Sequence, residues 1–480
     1  MDRSGQNSGQ STGRPDPPEM AQVLEQLARV RRRHQEILEL LRDWQDCRVG
    51  DPAVTTRQLQ VLSQRAKRQL EILEHLDQLL AHMNPLKPLV LGPARLAGWL
   101  GRLSGDTARR LGWSQRGAPA GRTACVLMVA VNGIGLGHLT RTLAVARRLR
   151  RIDRRTQVVL LTTSPAVHLA FGQAVTAYYV PSVQALPREH QEEFGGMLQR
   201  QLAALVRRHQ PGAIVYDGIW PSRGLLKAMG RTRAARRYWL RRGRWKRPPH
   251  HKQLRAEDHF DLIIEPGEVG LADGAAAGKQ RRVDPITYLD PGDLLERTAA
   301  RYHLGLPLDH QVVLVSLGAA NPAINRDLAM VQAVLQDRPR TTVVIAESII
   351  GSPLKGESLR ARFLREYPVS RYFNAFDAAV TAAGYNTVHE SVTLGLPCVF
   401  IPNLNRDTDD QAARARAVEQ AGAGICLAGP DNRSLGRALE RVLEQETNQA
   451  MRRACRELAT PNGADQVARI ILGAEELPNP

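Results

Sequence analysis

Cysteine is scarce in this sequence, and no stretch is long and apolar enough to cross a bilayer. The five cysteines stand far apart without the short spacing of a metal site, and an odd, dispersed set does not favour a disulfide framework. A helical membrane span needs about 20 consecutive apolar residues, and no apolar run approaches that length. The chain also begins without the pattern of a signal segment. These absences lead us to expect a protein of the reducing cytoplasm.

Acidic residues are fewer than basic ones, which leaves a formal net charge of +18. The imbalance is sharpest in Arg223–Arg255, which holds 13 Arg or Lys, no acid, and interleaved aromatic residues such as Trp239 and Trp245. A basic surface of this kind attracts anionic lipid or nucleic acid. No base-reading module accompanies it, so nucleic acid is not an expected partner. We expect this stretch to hold the protein peripherally on the inner face of the cell membrane, with a solvated loop as the alternative.

The first 120 residues differ in character from the rest. Residues 1–18 contain almost no apolar side chains, which predicts a disordered tail. Within residues 19–84, apolar residues recur at steps of three and four on both sides of a Gly-Asp-Pro break. This pattern predicts a helical hairpin or coiled coil for homo-oligomerisation, or equally a helical cap on the next domain. Residues 85–120 mix Leu, Trp, Gly and Arg, which fits either a linker or a membrane-surface segment.

From residue 121 the pattern becomes that of an α/β protein. Apolar runs such as ACVLMVAV, QVVLLTT and AIVYD alternate with helical stretches, and a second such series begins near Gln311. Strands that alternate with helices predict parallel, doubly wound sheets. We therefore expect two Rossmann-like domains, 121–300 and 301–472, followed by a short tail, 473–480. A ligand would bind between them, at the carboxyl ends of the strands.

The stretch from Thr381 to Gln411 carries the strongest functional pattern. An apolar strand runs into the glycine turn AAGYNT, and the helix start that follows is a natural seat for phosphate. Glu390 is expected in the first turn of that helix, where its carboxylate can accept hydrogen bonds from a sugar diol. The buried strand LPCVFIP then leads to Asp410 and Gln411 at the start of the next helix. A diphosphate seat beside a diol acceptor indicates a nucleotide-sugar site.

A simpler interpretation of the same residues stays open. Thr387–Glu390 and Thr408–Gln411 both fit the capping box, in which side chains close a helix start without any ligand.

The order of these elements nevertheless resembles a family signature. The run G-x-x-T-x-x-E, a buried strand ending in Ile-Pro, and Asp-Gln before an Ala-rich helix resemble the donor site of family 28 glycosyltransferases. That family includes the peptidoglycan lipid N-acetylglucosaminyltransferases. The resemblance implies a GT-B fold, a UDP-sugar donor such as UDP-N-acetylglucosamine, and no metal cofactor. It gives the ribose hydroxyls to Glu390 and the donor sugar to Gln411. The donor-binding residues implied in this way are Gly318, Gly384, Tyr385, Asn386, Thr387, Glu390, Asp410 and Gln411.

The glycine loop before His138 fits a glycosyltransferase better than a dinucleotide-binding protein. His138 stands where the last glycine of G-x-G-x-x-G belongs, and the strand QVVLLTT does not end in an acid, so nicotinamide binding is not expected. The same loop with G-H-x-x-R resembles the first loop of family 28 and related GT-B enzymes. By that resemblance, Gly135, Gly137 and Arg141 lie on the acceptor side and His138 is the candidate base. A helix cap is the alternative role for the histidine.

Asp217 ends the strand AIVYD and should reach the same sheet edge. In some GT-B enzymes an aspartate at this place orients the catalytic histidine, and by resemblance we expect the same here. A cap on the following turn is the alternative.

Together these features predict an inverting glycosyltransferase that acts on a hydroxyl of a lipid-linked or other membrane-proximal glycan acceptor. A base would deprotonate that hydroxyl while the second domain's helix start stabilises the departing diphosphate. Two alternatives remain open: a nucleotide-sugar 2-epimerase of the same fold, and a non-catalytic coiled-coil scaffold with a vestigial sugar-nucleotide site.

Overall fold

A computed structural model describes the α/β part of the chain, which lies within one unit, residues 114–480. The described residues are 125–474 except 132–134, 184–185, 187–190, 192–193, 231–234, 245–254, 272–277, 319–323, 336–337, 351–360 and 405–408. The predicted tails, the heptad region 19–84 and the segment 85–120 therefore fall outside the described residues. For these segments the predictions stay predictions.

A seven-stranded parallel sheet forms the first half, in the order β3-β2-β1-β4-β5-β6-β7. Its strands are β1 Cys125–Ala130, β2 Gln157–Thr162, β3 Val175–Tyr179, β4 Ala213–Asp217, β5 Arg236–Leu240, β6 Leu262–Pro266 and β7 Gln280–Val283. The helices between them are α1 Gly137–Ile152, α2 Phe194–His209 and α3 Arg223–Met229. Every residue of β1 and of β4 is buried, as expected for central strands covered by helices on both faces.

A six-stranded parallel sheet forms the second half, in the order β10-β9-β8-β11-β12-β13. Its strands are β8 Gln311–Ser316, β9 Thr341–Ala346, β10 Arg362–Leu364, β11 Ala378–Thr381, β12 Cys398–Phe400 and β13 Gly424–Cys426. Its helices are α4 Arg297–His303, α5 Ile324–Leu335, α6 Tyr385–Thr393, α7 Gln411–Gln420, α8 Asn432–Leu443 and α9 Gln445–Leu458. The two parallel, doubly wound sheets predicted from the sequence are confirmed.

The last helix, α10 Gly463–Leu472, packs against the first half instead of the second. Val467 and Ile471 share a buried core with Leu139 and Leu143 of α1. Buried Arg148 strengthens this contact through Asp290 at 2.5 Å and Asp465 at 3.3 Å. The sequence assigns these residues to the domain 301–472, because an amphipathic helix does not reveal which sheet its apolar stripe will cover.

The stretch Arg223–Arg255 is not the basic, aromatic surface predicted from its composition. Trp239 and Tyr238 belong to the buried core of the first half, where the Trp239 indole nitrogen donates to the Gly218 carbonyl oxygen at 3.0 Å. Arg241 is buried and pairs with Glu257 and Glu265. The stretch contains no acid, but acidic residues from later segments of the chain pair with its Arg241. These buried side chains are therefore not part of a membrane-facing surface, whereas Arg223, Lys227, Arg236 and Arg255 are exposed, and membrane attachment through them stays a prediction.

Across the part of the chain that the structure describes, every helix is too short or too polar to span a bilayer.

Candidate active site

In each sheet the strand order reverses direction at one strand, which is called the switch point. In the first sheet β1 lies between β2 and β4, and in the second β8 lies between β9 and β11. Chains leave such neighbouring strands toward opposite faces, which opens a crevice where ligands of doubly wound proteins bind. The predicted site residues of each half lie at this crevice.

In the first half, the crevice brings His138 and Asp217 together. Asp217 is the last residue of β4 and lies beside Ala130 at the end of β1, from which the chain passes to α1. His138 and Arg141 occupy the same face of α1, three residues apart. His138 Nδ1 lies 2.7 Å from Asp217 Oδ1, and Arg141 donates Nε to Asp217 Oδ2 at 2.9 Å. A pair separated by 79 residues in sequence is thus in direct contact.

The hydrogen bond to Asp217 fixes how His138 can act. A carboxylate only accepts, so Nδ1 carries the ring proton and Nε2 keeps its lone pair. Burial lowers the pKa of His138, and the nearby charges of Arg141 and Arg242 lower it further, against the opposing effect of Asp217. Burial alone would raise the pKa of Asp217, but Arg141 and His138 hold it below its usual value. The pair therefore consists of a neutral imidazole and a carboxylate at neutral pH.

In the second half, α6 begins at the crevice without a side-chain cap. Its N-cap is Gly384, no described side chain closes its first turn, and it has no acidic residue there. By contrast, α8 has a full capping box from Asp431 and Ser434, and the Asn462 side chain caps α10. The first-turn N–H groups of α6 are therefore left for a ligand.

The glycines at the crevice leave space in front of these groups. A Cβ added to Gly135, Gly137 or Gly384 would meet no atom of the described residues within 4 Å beyond its own chain neighbours. Gly318 has a φ of +76°, which favours glycine, and lies against Ala382 of the turn that leads into α6. Gly318 and Gly384 thus shape adjoining turns at the ends of β8 and β11.

Neither predicted capping box is present in the form expected. Thr387 is the third residue of α6, not its cap, so Glu390 lies in the second turn, not in the first. At α7 the cap is Asp410, whose side chain accepts from Ala413 N at 3.0 Å, and Gln411 is the first helical residue. The capping motif places both helix starts incorrectly, because a glycine and an aspartate nearer the turn take the N-cap positions.

Glu390 lies beside the segment that joins the two halves. Burial raises its pKa to about 7, while the Ser370 hydroxyl and the Tyr288 backbone oppose that rise. The pKa of Tyr367 is raised by burial as well, and its hydroxyl donates to Thr140 Oγ1 of α1 at 3.1 Å. Glu390 is thus a partly buried carboxylate near the junction, with hydroxyl groups around it.

The other residues predicted to bind the donor lie in three different settings. Asn386 reaches across the crevice and donates Nδ2 to the Gly137 carbonyl oxygen at 3.2 Å. Tyr385 is buried, stacks on His389 at 4.3 Å, and its hydroxyl accepts from Ile286 N at 3.0 Å. Gln411 is also buried, and its Oε1 accepts from Asn403 N at 3.0 Å. Asn386 thus contacts the residue that precedes the first half's candidate base, while the side chains of Tyr385 and Gln411 form hydrogen bonds within the protein.

Sequence reasoning missed an ionic cluster that joins the two halves. Arg414 donates to both carboxylate oxygens of Glu268 at 2.7 Å, and these side chains are wholly buried. Arg414 also donates to Asp409 Oδ1 at 3.0 Å and to the carbonyl oxygen of Ala383, in the turn before α6, at 2.9 Å. Arg242 approaches Asp409 from the first half at 3.2 Å. The detectable signal was position: Glu268 follows a strand end, and Arg414 lies three residues beyond Gln411.

A second concavity of about 630 Å³ lies at the opposite, amino edge of the second sheet. It is lined by Glu296, Arg297, Asn374, Asp377, Asn448 and Arg452, among others. The polar groups around it are satisfied: Asp377 pairs with Arg297 and Arg301, and Arg452 donates to backbone oxygens. We attach no catalytic role to this cavity, because its charged groups hold each other and none is poised for proton transfer.

Among the residues that the structure describes, no three His, Cys, Asp or Glu side chains are grouped as metal ligands would be. A metal-free site stays a prediction.

Comparison with known proteins agrees with this geometry. Residues 364–467, which contain α6, Glu390 and Gln411, match the glycosyltransferase family 28 C-terminal domain. Within residues 364–467 the chain is therefore similar to family 28 glycosyltransferases.

The relatives are enzymes named UDP-N-acetylglucosamine–N-acetylmuramyl-(pentapeptide) pyrophosphoryl-undecaprenol N-acetylglucosamine transferase. The one from Rhodococcus jostii is 29% identical over 406 residues, which cover 74% of this chain and 98% of the relative. The one from Salinibacter ruber is 33% identical over 192 residues, 36% of this chain and 49% of the relative. In the alignments with the Salinibacter ruber and Bacillus subtilis enzymes, the chain spans about half the length of the relative.

Solved structures share the fold of the whole α/β part. Spinosyn forosaminyltransferase has a TM-score of 0.53 at 17% identity, covering 73% of this chain and 100% of that one. The kitacinnamycin glycosyltransferase has a TM-score of 0.52 at 17% identity, covering 74% and 99%. These likenesses concern the fold alone.

Proposed function

We propose that the protein is an inverting glycosyltransferase that moves a sugar from a UDP-sugar to an acceptor hydroxyl. The observation that carries the proposal is the position of the His138–Asp217 pair directly across the crevice from the uncapped start of α6. One half thus offers a base, and the other offers a seat for the leaving diphosphate. The family 28 match of residues 364–467 supports the same assignment.

In the proposed reaction, His138 Nε2 takes the proton of the acceptor hydroxyl as its oxygen attacks the anomeric carbon. Asp217 holds the imidazole through Nδ1 and favours the imidazolium that forms. The bond from the anomeric carbon to the diphosphate breaks on the opposite face, so the configuration inverts. The N–H groups and dipole at the start of α6 stabilise the diphosphate that leaves with the bonding electrons.

For the donor, we propose UDP-N-acetylglucosamine or a close relative, with Glu390 on the ribose hydroxyls and Gln411 near the sugar. The names of the relatives support this sugar nucleotide and favour a lipid-linked acceptor. Such an acceptor would imply that the enzyme acts at a membrane surface. The epimerase alternative has no support among these relatives, all of which are named as transferases.

The proposal is tested by incubating the protein with UDP-N-acetylglucosamine, UDP-glucose and UDP-galactose. UDP release is measured first without an added acceptor, where only water can react, and then with added hydroxyl acceptors. We expect UDP release that an acceptor accelerates, and loss of that release in His138→Ala. A 2-epimerised sugar would point instead to the epimerase. Tight UDP binding without turnover under any acceptor would favour the scaffold.

A further inference from the structure

Arg242 is placed to serve both halves of the site. It lies two residues beyond β5, at the sheet edge that also carries Asp217 and Glu268. Its Nη1 lies 3.2 Å from Asp409 Oδ1 in the second half, and its charge also acts on His138. The guanidinium is therefore close to the candidate base and to the residue just before α7.

The cluster around Arg242 holds more positive than negative charge. Three guanidinium groups, of Arg242, Arg244 and Arg414, meet the two carboxylates of Glu268 and Asp409. Among direct ion pairs of the described residues the cations thus outnumber the acids by one, and Asp410 acts on Arg244 only from beyond ion-pair distance. An excess cation in a crevice of low exposure attracts an anion more strongly than the same charge in water.

Buried His389 gives an independent sign that the cluster is incomplete. Its side chain is 1% exposed, and its Nε2 has no hydrogen-bond partner among the described residues. Nε2 lies 3.9 Å from Glu268, whose two oxygens already accept from Arg414. A buried polar atom without a partner is uncommon and indicates a missing ligand or water.

Arg242 is the member of the cluster that can turn to a ligand. Arg414 is fixed by both oxygens of Glu268, by Asp409 and by the Ala383 carbonyl oxygen. Arg242, by contrast, has one ion pair within the described part of the chain, and its side chain is 13% exposed. Burial lowers the pKa of Arg242, and Arg141 and Arg414 add to that effect against Asp409. If Arg242 turns away, Asp409 still has Arg414, so the exchange leaves no carboxylate unpaired.

We propose that Arg242 exchanges Asp409 for the phosphate groups of a ligand bound in the crevice, and so grips a diphosphate from the side opposite α6. The inference builds on the proposed function and names a phosphate-binding residue in the first half. The diphosphate can belong to the donor nucleotide or to the acceptor. The guanidinium fork suits either, because two parallel N–H groups match two phosphate oxygens.

The test is calorimetric titration of the full chain with UDP, and of the UDP-saturated protein with inorganic pyrophosphate. Arg242→Gln should weaken one of these by about tenfold or more, as expected for a lost charge-assisted contact. Arg237→Gln is the matched control, since it also removes one cation from the β5 region and one ion pair, to Asp261. Asp409→Asn should hold or tighten phosphate binding because it removes the competing carboxylate, while Arg242→Gln should weaken it.

The outcomes separate the two sources and the two proposals. Weakened UDP binding assigns Arg242 to the donor, and loss of only the pyrophosphate titration assigns it to the acceptor. If Arg242→Gln and Asp409→Asn both lower the melting temperature while both titrations match wild type, Arg242 is a structural partner and the inference is overturned. If wild type fails to bind UDP yet binds pyrophosphate through Arg242, the proposed function falls and this inference stands. If wild type binds neither, both fall.

Discussion

The two helix starts that face each other across the crevice have the same layout and opposite chemistry. Helix α1 follows β1, and α6 follows β11, which neighbours β8 at the switch point of the second sheet; each comes after a glycine turn, and no described side chain caps either. At α1 the second residue, His138, is ionisable and held by Asp217. At α6 the first three residues, 385–387, carry no charge.

This difference suits the two halves to different steps of the proposed transfer. A proton acceptor needs a defined tautomer and a carboxylate behind it, and the first half supplies both. A departing diphosphate needs positive potential without a competing anion, and an uncapped helix start supplies it. The division is tested by substituting residues of one half and measuring whether the function proposed for the other half changes.

The largest effect is expected from His138→Ala. A positioned general base contributes about 10²–10⁴-fold to rate, so turnover should fall by that order. UDP affinity should stay close to wild type, because α6 lies in the other half. Turnover and UDP titrations on the same preparation check both statements. Turnover within a few-fold of wild type would remove the histidine from the mechanism.

Asp217→Asn should reduce both the stability of the fold and the turnover rate. It leaves buried Arg141 without its carboxylate, and breaking a buried pair costs about 3–5 kcal/mol of folding free energy. Turnover should also fall, by less than in His138→Ala, and the loss should largely vanish in the His138→Ala background. Denaturant unfolding and a double-mutant cycle measure the two effects. Additive rate losses would contradict the proposed pair.

Glu390→Gln should stabilise the protein in a pH-dependent way. The pKa of Glu390 is raised to about 7 in the folded protein from 4.5, so its ionisation destabilises the fold as pH rises between those values. The neutral glutamine escapes this cost, which is about 3 kcal/mol at most above pH 7. The gain should grow from pH 4.5 to 7 and then level off. Glu457→Gln, the same change on an exposed surface of α9, is the control.

The same Glu390→Gln change should weaken the donor. Losing a charge-assisted acceptor for the ribose diol costs about 1.5–3 kcal/mol, so UDP affinity should fall by about tenfold or more at pH 8. Below pH 7 wild type itself becomes protonated, so its own UDP affinity should decline and approach that of the variant. Titrations at pH 6 and pH 8 test this. Equal affinities at pH 8 would leave Glu390 a purely structural residue near the junction.

The smallest effect is expected from Arg141→Gln, in the pH profile of turnover. The base acts when neutral, so kcat/KM should fall on the acid side of the His138 pKa, which lies below its usual value. Removing the guanidinium takes away a positive neighbour, raises that pKa, and moves the acid limb to higher pH. Thr142→Val removes a neutral contact to the same carboxylate and should leave the limb in place. An unmoved limb in Arg141→Gln would show that Arg141 holds Asp217 only structurally.

The sequence by itself determined the local elements and the order in which they occur. Continuous apolar runs predicted the central strands β1, β4, β8 and β12, because such strands are buried on both faces whatever their neighbours. The glycine turns before α1 and α6 likewise follow from the chain alone. With these came the two sheets, and the expectation that His138 and Asp217 meet at the same sheet edge, whereas Glu390 was expected one helical turn too early.

Only the tertiary structure decided which of these residues are partners. Trp239 and Arg241 are on a basic stretch by sequence, yet they are buried because β5 crosses the middle of a sheet and acids from other segments surround it. The Arg414–Glu268 pair joins residues 146 apart, and α10 covers the first half from the end of the chain. Charge pairing and helix packing depend on distance in space, and a linear pattern does not contain that distance.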